Sequence, residues 1–300
     1  MSPASAAIHT FRIANLTVCI SFAAGDKNSM ELLPQMAPFA TAGSDDPPLL
    51  HLHVDDALRP LPKTGCHFIR KIDEGNGIFT IWHRHTGGYQ FIIASPEGYD
   101  CCLLQTNADF SDCQCALNGP TTARQFGLNN ALMLCYGFAA CFYDTLLIHA
   151  STVRCEGKAY PFIARSGTGK STHVALWLQN IPGCDLMNDD NPVVRIINGI
   201  PYLFGSPWSG KTPCYRQTFA PLGAITRIVR DSTNFAVCKE PLDGFASFLP
   251  SCTAMKWDHD IYLRIIDTVG RVTQLVPIFD IHCTPTPEAA IVCHQALCKK

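Results

Sequence analysis

Short apolar and β-branched runs, each closed by turn-forming residues, recur through the first part of the chain at 16–22, 49–54, 77–83, 89–94 and 101–104. Runs of this length between Gly, Pro and Asp clusters predict strands. His85-Thr86-Gly87-Gly88 predicts the hairpin turn between two of them. Pro47-Pro48 and the prolines at 60 and 62 interrupt the pattern rather than extend a helix. After Asn118 the pattern changes. An apolar stretch over 121–142 predicts a long helix opening at Thr121 or Thr122 and joining two halves. Strands are predicted at 146–153 and 159–164 around a Glu156-Gly157 turn, then a helix over 170–180. Residues 184–187 form a short strand leading into Asn188-Asp189-Asp190, and Asn198-Gly199 joins 193–197 to 200–204 as a hairpin. A helix over 257–268 and a strand at 278–282 follow. Thr286-Pro287-Glu288 opens a last helix with a capping residue, a proline in the first turn and an acid at the positive end of the dipole. The expected organisation is a β-rich region over 1–120, suited to recognising a substrate or partner, and an α/β region over 121–300 that includes the linking helix.

Composition narrows the classes. A chain of 300 residues, 47% hydrophobic, can bury a sizeable core. Its 23 basic and 25 acidic residues nearly balance, so no nucleic-acid or acidic-membrane partner is expected. Residues 1–10 lack a basic start followed by an apolar run, the pattern of a secretion signal. The most apolar stretch, 131–143, is too short to span a bilayer and predicts a buried helix. A cytoplasmic protein is expected. Its 16 cysteines include no Cys-x-x-Cys pair, and the only clusters are Cys101-Cys102 and Cys113/Cys115. They read as reduced core thiols rather than a metal site.

The chemistry concentrates at Ser166-Gly167-Thr168-Gly169-Lys170-Ser171-Thr172. A strand that ends, turns through two glycines and starts a helix at Lys-Ser presents backbone N–H groups to phosphate oxygens. Lys170 is placed to neutralise the β- and γ-phosphates of ATP, and the Ser171 hydroxyl to ligate Mg2+. Alanine stands at 164, where the usual pattern has its first glycine. Asp189-Asp190 supplies two carboxylates, one to hold the metal and one to take a proton from an acceptor hydroxyl. On its own, the same acidic stretch also reads as an Asx turn. His149 interrupts an apolar strand, where a lone histidine ordinarily has a structural role. The loop Gly205-Ser206-Pro207-Trp208-Ser209-Gly210-Lys211 either brings Lys211 to a phosphate and Trp208 to a base or peptide, or is a plain hairpin exit. Arg165, Arg216 and Arg227 are further possible anion contacts.

The order of these features, His149, then a hairpin, then Ser-Gly-Thr-Gly-Lys-Ser-Thr, then Asp-Asp, resembles the catalytic domain of HPr kinase/phosphorylase. It is similar, more distantly, to ATP-dependent phosphoenolpyruvate carboxykinase. The resemblance implies an α/β fold with the P-loop core of that superfamily behind a β-rich N-terminal region. It implies γ-phosphoryl transfer from ATP to a serine-like hydroxyl of a protein, peptide or small molecule. By position, His149 matches the family's active-site histidine, Lys170 and Ser171 its P-loop pair, and Asp189 and Asp190 its acidic pair. The Arg-Gly-Leu-Gly-type signature that follows the acidic pair in HPr kinase is absent, and the 205–211 loop stands in its region. HPr as acceptor and a hexameric assembly are therefore not implied, and the oligomeric state stays open. Two other readings share these residues: a nucleotide-binding regulatory protein without turnover, and a kinase that modifies a peptide precursor.

Overall fold

The chain divides into two units, Met1–Ala140 and Cys141–Lys300. The computed structural model describes residues 7–25, 27–43, 47–73, 75 and 77–298. Residues 1–6, on which much of the reading of the N-terminus rests, lie outside them. The helix expected to open the α/β half groups instead with the first unit.

Among the described residues, the first unit forms an eight-stranded sheet and one long helix. Its strands are β1 (Ile8–Ile13), β2 (Leu16–Phe22), β3 (Leu50–Val54), β4 (Cys66–Asp73), β5 (Ile78–Arg84), β6 (Tyr89–Ala94), β7 (Asp100–Thr106) and β8 (Asp112–Leu117). They lie in the order β1-β2-β3-β8-β7-β6-β5-β4. The hairpin expected at residues 85–88 joins β5 to β6, with Arg84 and Gly88 bonded across it at 2.9 Å. Helix α1 (Thr121–Ala140) packs on β3, β6, β7 and β8, and buries Leu128, Leu132 and Cys135. By length and composition alone, the stretch from Thr121 to Tyr143 could also cross a bilayer, a test that buried core helices pass equally. Strands β1, β4 and β8 were not expected. The first two are the sheet's edges, and β4 is mostly exposed and broken by Arg70, Lys71 and Asp73, so its sequence lacks the apolar run that marks a half-buried strand.

The second unit is α/β with two sheets. Its strands are β9 (Thr145–Leu147), β10 (Ala150–Cys155), β11 (Lys158–Ile163), β12 (Asp185–Asp190), β13 (Val193–Ile197), β14 (Ile200–Phe204), β15 (Phe219–Pro221), β16 (Ile225–Arg230), β17 (Phe235–Cys238) and β18 (Ile278–Cys283). Its helices are α2 (Lys170–Asn180), α3 (Pro241–Phe248), α4 (His259–Leu275) and α5 (Pro287–Leu297). The larger sheet runs β12-β10-β11-β16-β18-β17, the smaller β15-β14-β13-β9. In the larger sheet β11, β16 and β18 are parallel, so their carboxyl ends share one edge. Helices α2 and α5 pack together over a core that includes Tyr160, Phe162, Trp177, Ile228, Ile281 and Cys293.

The strand expected over 146–153 is two strands in different sheets: β9 pairs with β13, and β10 pairs with β11 and β12. The chain changes sheets at Ile148-His149, where Ile148 N donates to Pro192 O at 3.1 Å and His149 N to Ser251 O at 2.7 Å. An apolar run records burial, not the identity of the hydrogen-bonding partner, so the break leaves no mark in the pattern. His149 is thereby outside any strand. Thr286 precedes α5 as expected, yet its hydroxyl makes no capping bond and pairs with Thr284 Oγ1 at 2.9 Å. All sixteen cysteines are free thiols, most of them buried.

Candidate functional site

Six residues, 164–169, connect the end of β11 to the start of α2. Gly167 and Gly169 adopt φ values of 76° and 122°, which a side chain would strain, and the space at each Cβ position is open. Thr168 N donates to Arg165 O at 3.1 Å and closes the turn. Gly169 caps α2 without any side-chain hydrogen bond, and no acidic residue lies in the first turn. The first N–H groups of the helix and the positive end of its dipole are left for an anion.

The carboxylates reach this loop because β12 lies beside β10. Their antiparallel register sets Ser151 opposite Asp189 and Ala150 opposite Asp190. Asp189 is 5% exposed, and its Oδ1 accepts from Ser151 Oγ at 2.7 Å and from Ser171 Oγ at 2.9 Å. Its Oδ2 accepts from Thr212 N at 3.3 Å, so a buried carboxylate is held by three protein donors. The acidic pair ends β12 and is not a turn.

Asp190 faces a different set of groups. Oδ1 lies 3.0 Å from His149 Nδ1, and Oδ2 accepts from Asn191 Nδ2 at 2.7 Å. His149 Nε2 lies 2.7 Å from Lys170 Nζ, which also donates to Ala164 O at 3.1 Å. An ammonium has only donors, so Nε2 accepts from Lys170 and Nδ1 carries the hydrogen that Asp190 receives. Burial pulls the Lys170 ammonium below the ordinary lysine pKa, with Asp190 and Asp189 opposing the shift. The backbone of Asp190 sits at φ 156°, an uncommon value away from glycine.

The 205–212 loop is strapped over the end of β12. Asn188, fully buried, donates to Ser206 Oγ at 3.2 Å and to Trp208 O at 3.1 Å. Ser206 Oγ donates to Asn191 O at 2.6 Å. Gly210 N donates to Asp189 O, and a Cβ at Gly210 would stand 2.9 Å from that oxygen and 3.3 Å from Asp190 Cβ. The loop therefore touches both aspartates and is more than a hairpin exit. Trp208 is 3% exposed, so its ring anchors the strap and offers no face to a base or peptide. Lys211 is exposed beside Gly210, with no ion pair or hydrogen bond of its own among the described residues.

His149, Lys170 and Asp190 thus lie in one hydrogen-bonded chain, and Ser171 and Asp189 in a second, the two adjoining through the chain neighbours Lys170-Ser171 and Asp189-Asp190. Ser166 and Thr172 are exposed at the loop, and Thr168 is half-buried. Two suggested anion contacts are already engaged. Arg216 pairs with Asp185 at 2.7 Å, and Arg227 with Asp280 through bonds of 2.8 and 2.5 Å. Ser151 and Thr212 were missed. Ser151 stands two residues after His149, but only the β10–β12 register reveals its partner, and Thr212 acts through its backbone.

Among the described residues no three His, Cys, Asp or Glu side chains gather closely enough to form a metal site by themselves. Mg2+ needs no such cluster, because it retains waters and takes few protein ligands beside substrate phosphates. The adjoining Ser171 hydroxyl and Asp189 carboxylate fit that requirement.

No protein-family model matches the chain, and no curated protein matches it. One solved structure that does match is that of the Hpr(Ser) kinase/phosphatase from Coxiella burnetii, at 11% identity and a TM-score of 0.29. The match covers 50% of this chain and 89% of that one.

Proposed function

We propose that this protein is an ATP-dependent kinase with an HPr kinase-like P-loop core, transferring the γ-phosphoryl group to a serine-like hydroxyl. The observation that carries the reading is the division of the two aspartates: Asp189 bonded to Ser171 of the glycine loop, and Asp190 to His149 and through it to Lys170. In this reading the loop amides and the α2 N-terminus bind the β- and γ-phosphates, and Lys170 turns from His149 and Ala164 O to meet them. Ser171 Oγ and Asp189 would hold Mg2+, which would offset the negative charge of the phosphates. Asp190, oriented by His149 and Asn191, takes the acceptor's proton as its oxygen attacks the γ-phosphorus and ADP departs. In the same reading Lys211, exposed beside Gly210, meets a phosphate or an acidic acceptor.

The reading is tested by ADP formation from Mg-ATP with wild type, Asp190→Asn and Lys170→Ala, using pooled serine-bearing proteins, peptides and small alcohols as acceptors. Turnover in wild type that both variants abolish supports it. Binding of ATP without any turnover would favour a nucleotide-dependent regulatory protein, and undiminished turnover in both variants would sink the mechanism.

A further inference from the structure

Arg230, the last residue of β16, reaches the glycine loop from a strand that the sequence motif does not include. Its Nε donates to Thr168 O at 3.1 Å, and its Nη2 donates to Gly167 O. One planar guanidinium thus grips two successive carbonyls, a fork geometry that lysine cannot reproduce. Each trans peptide places its C=O and the following N–H on opposite sides. With the Gly167 carbonyl on Arg230, Thr168 N–H is turned away and meets Arg165 O at 3.1 Å. With the Thr168 carbonyl on Arg230, Gly169 N–H is turned away likewise, at the uncapped start of α2. Two glycines leave this loop free to rotate those peptides, and nothing packs within 4 Å of either Cβ position.

We infer that Arg230 is a positioning residue: it holds the loop carbonyls outward, so that the Gly169 amide and those opening α2 face the phosphate side before any anion arrives. The inference rests on the proposed nucleotide site, and it bears separately on the loop's own conformation and on binding. Pre-organised donors lose less on binding than donors that must first be ordered.

The test uses the full chain and three forms: wild type, Arg230→Met and Arg230→Lys. In the unliganded protein, the amide resonances of Thr168 and Gly169 should shift and broaden in both variants. Unchanged resonances overturn the inference whatever the protein binds. Calorimetric titration with Mg-ATP should then show about a tenfold or greater loss in both variants, the scale of two charge-assisted hydrogen bonds. Added guanidinium chloride, against sodium chloride at matched ionic strength, should restore part of the affinity of Arg230→Met and none in wild type. Wild-type affinity in Arg230→Lys would mean that charge alone matters, and overturns the positioning role. Failure of wild type to bind Mg-ATP would sink the nucleotide reading, while the amide resonances still decide what Arg230 does to the loop.

Discussion

His149 Nδ1 lies 3.0 Å from Asp190 Oδ1, and this contact separates the two adjacent aspartates into different environments. Asp189, one residue earlier, points to Ser151 and Ser171 instead. Neighbouring residues of a strand face opposite sides, so a consecutive pair of acids can serve two different groups without competing for one.

The division predicts unlike defects. Asp190→Asn should lower phosphoryl transfer by about a hundredfold or more, the usual scale for a lost general base, with Mg-ATP affinity nearly unchanged. Asp189→Asn should instead raise the Mg2+ concentration needed for half-maximal turnover. Steady-state rates measured over a magnesium series, with nucleotide binding in parallel, separate the two. Equal magnesium dependence in both variants would contradict the assignment.

Lys170 sets binding against stability. Burial lowers its pKa from the ordinary value of 10.5, so the charged form is disfavoured in the folded protein. The resulting cost is present in full below the folded pKa and is relieved as pH rises through it toward the unfolded value. Lys170→Met should therefore melt at or above the wild-type temperature near neutral pH, while losing nucleotide affinity. In wild type, kcat/KM should fall on the alkaline side at a pH below that of an ordinary lysine. A destabilised Lys170→Met would contradict the cost assigned to burying this ammonium.

His173, buried in α2, accepts from Trp177 Nε1 at 3.2 Å and meets the Phe162 ring edge-on. Burial pushes its pKa from 6.5 down to about 4. The unfolded chain binds a proton that the folded form refuses. Stability is thus complete above pH 6.5 and falls as pH drops toward 4, by about 3 kcal/mol in all. Urea unfolding of wild type and His173→Gln between those limits checks it: the acid-side loss should shrink in the variant.

Gly210 tests the strap. A methyl group there would press on Asp189 O and the Asp190 side chain. Gly210→Ala should cost about 1–3 kcal/mol of stability, as overpacking does, and should reduce transfer by displacing the loop that bonds Asp189. Gly270→Ala, in α4 with open space around it, should leave activity unchanged and stability equal or higher. Matching activity in the two variants would show that the strap does not position the carboxylates.

Much of the site was legible because its contiguous parts are local. A strand, two glycines and Lys170-Ser171 at a helix start declare themselves within ten residues, and helix α2 has the expected bounds. The Asn198-Gly199 hairpin and β6 were legible for the same reason. What the sequence hid was set by pairing between distant segments. The break at His149 depends on two sheets claiming its two sides. Ser151 and Arg230 acquire their partners only through the β10–β12 and β11–β16 neighbours. Trp208 looked available because a tryptophan in a glycine-rich loop carries no sign of burial, yet the strap folds it inward.

Whether the glycine loop binds nucleotide through Lys170 is decided by calorimetric titration of Mg-ATP into wild type, Asp190→Asn and Lys170→Met. Binding should saturate in wild type, keep nearly the same affinity in Asp190→Asn, and weaken about tenfold or more in Lys170→Met. No binding by wild type, or wild-type affinity without the Lys170 ammonium, would contradict binding through Lys170.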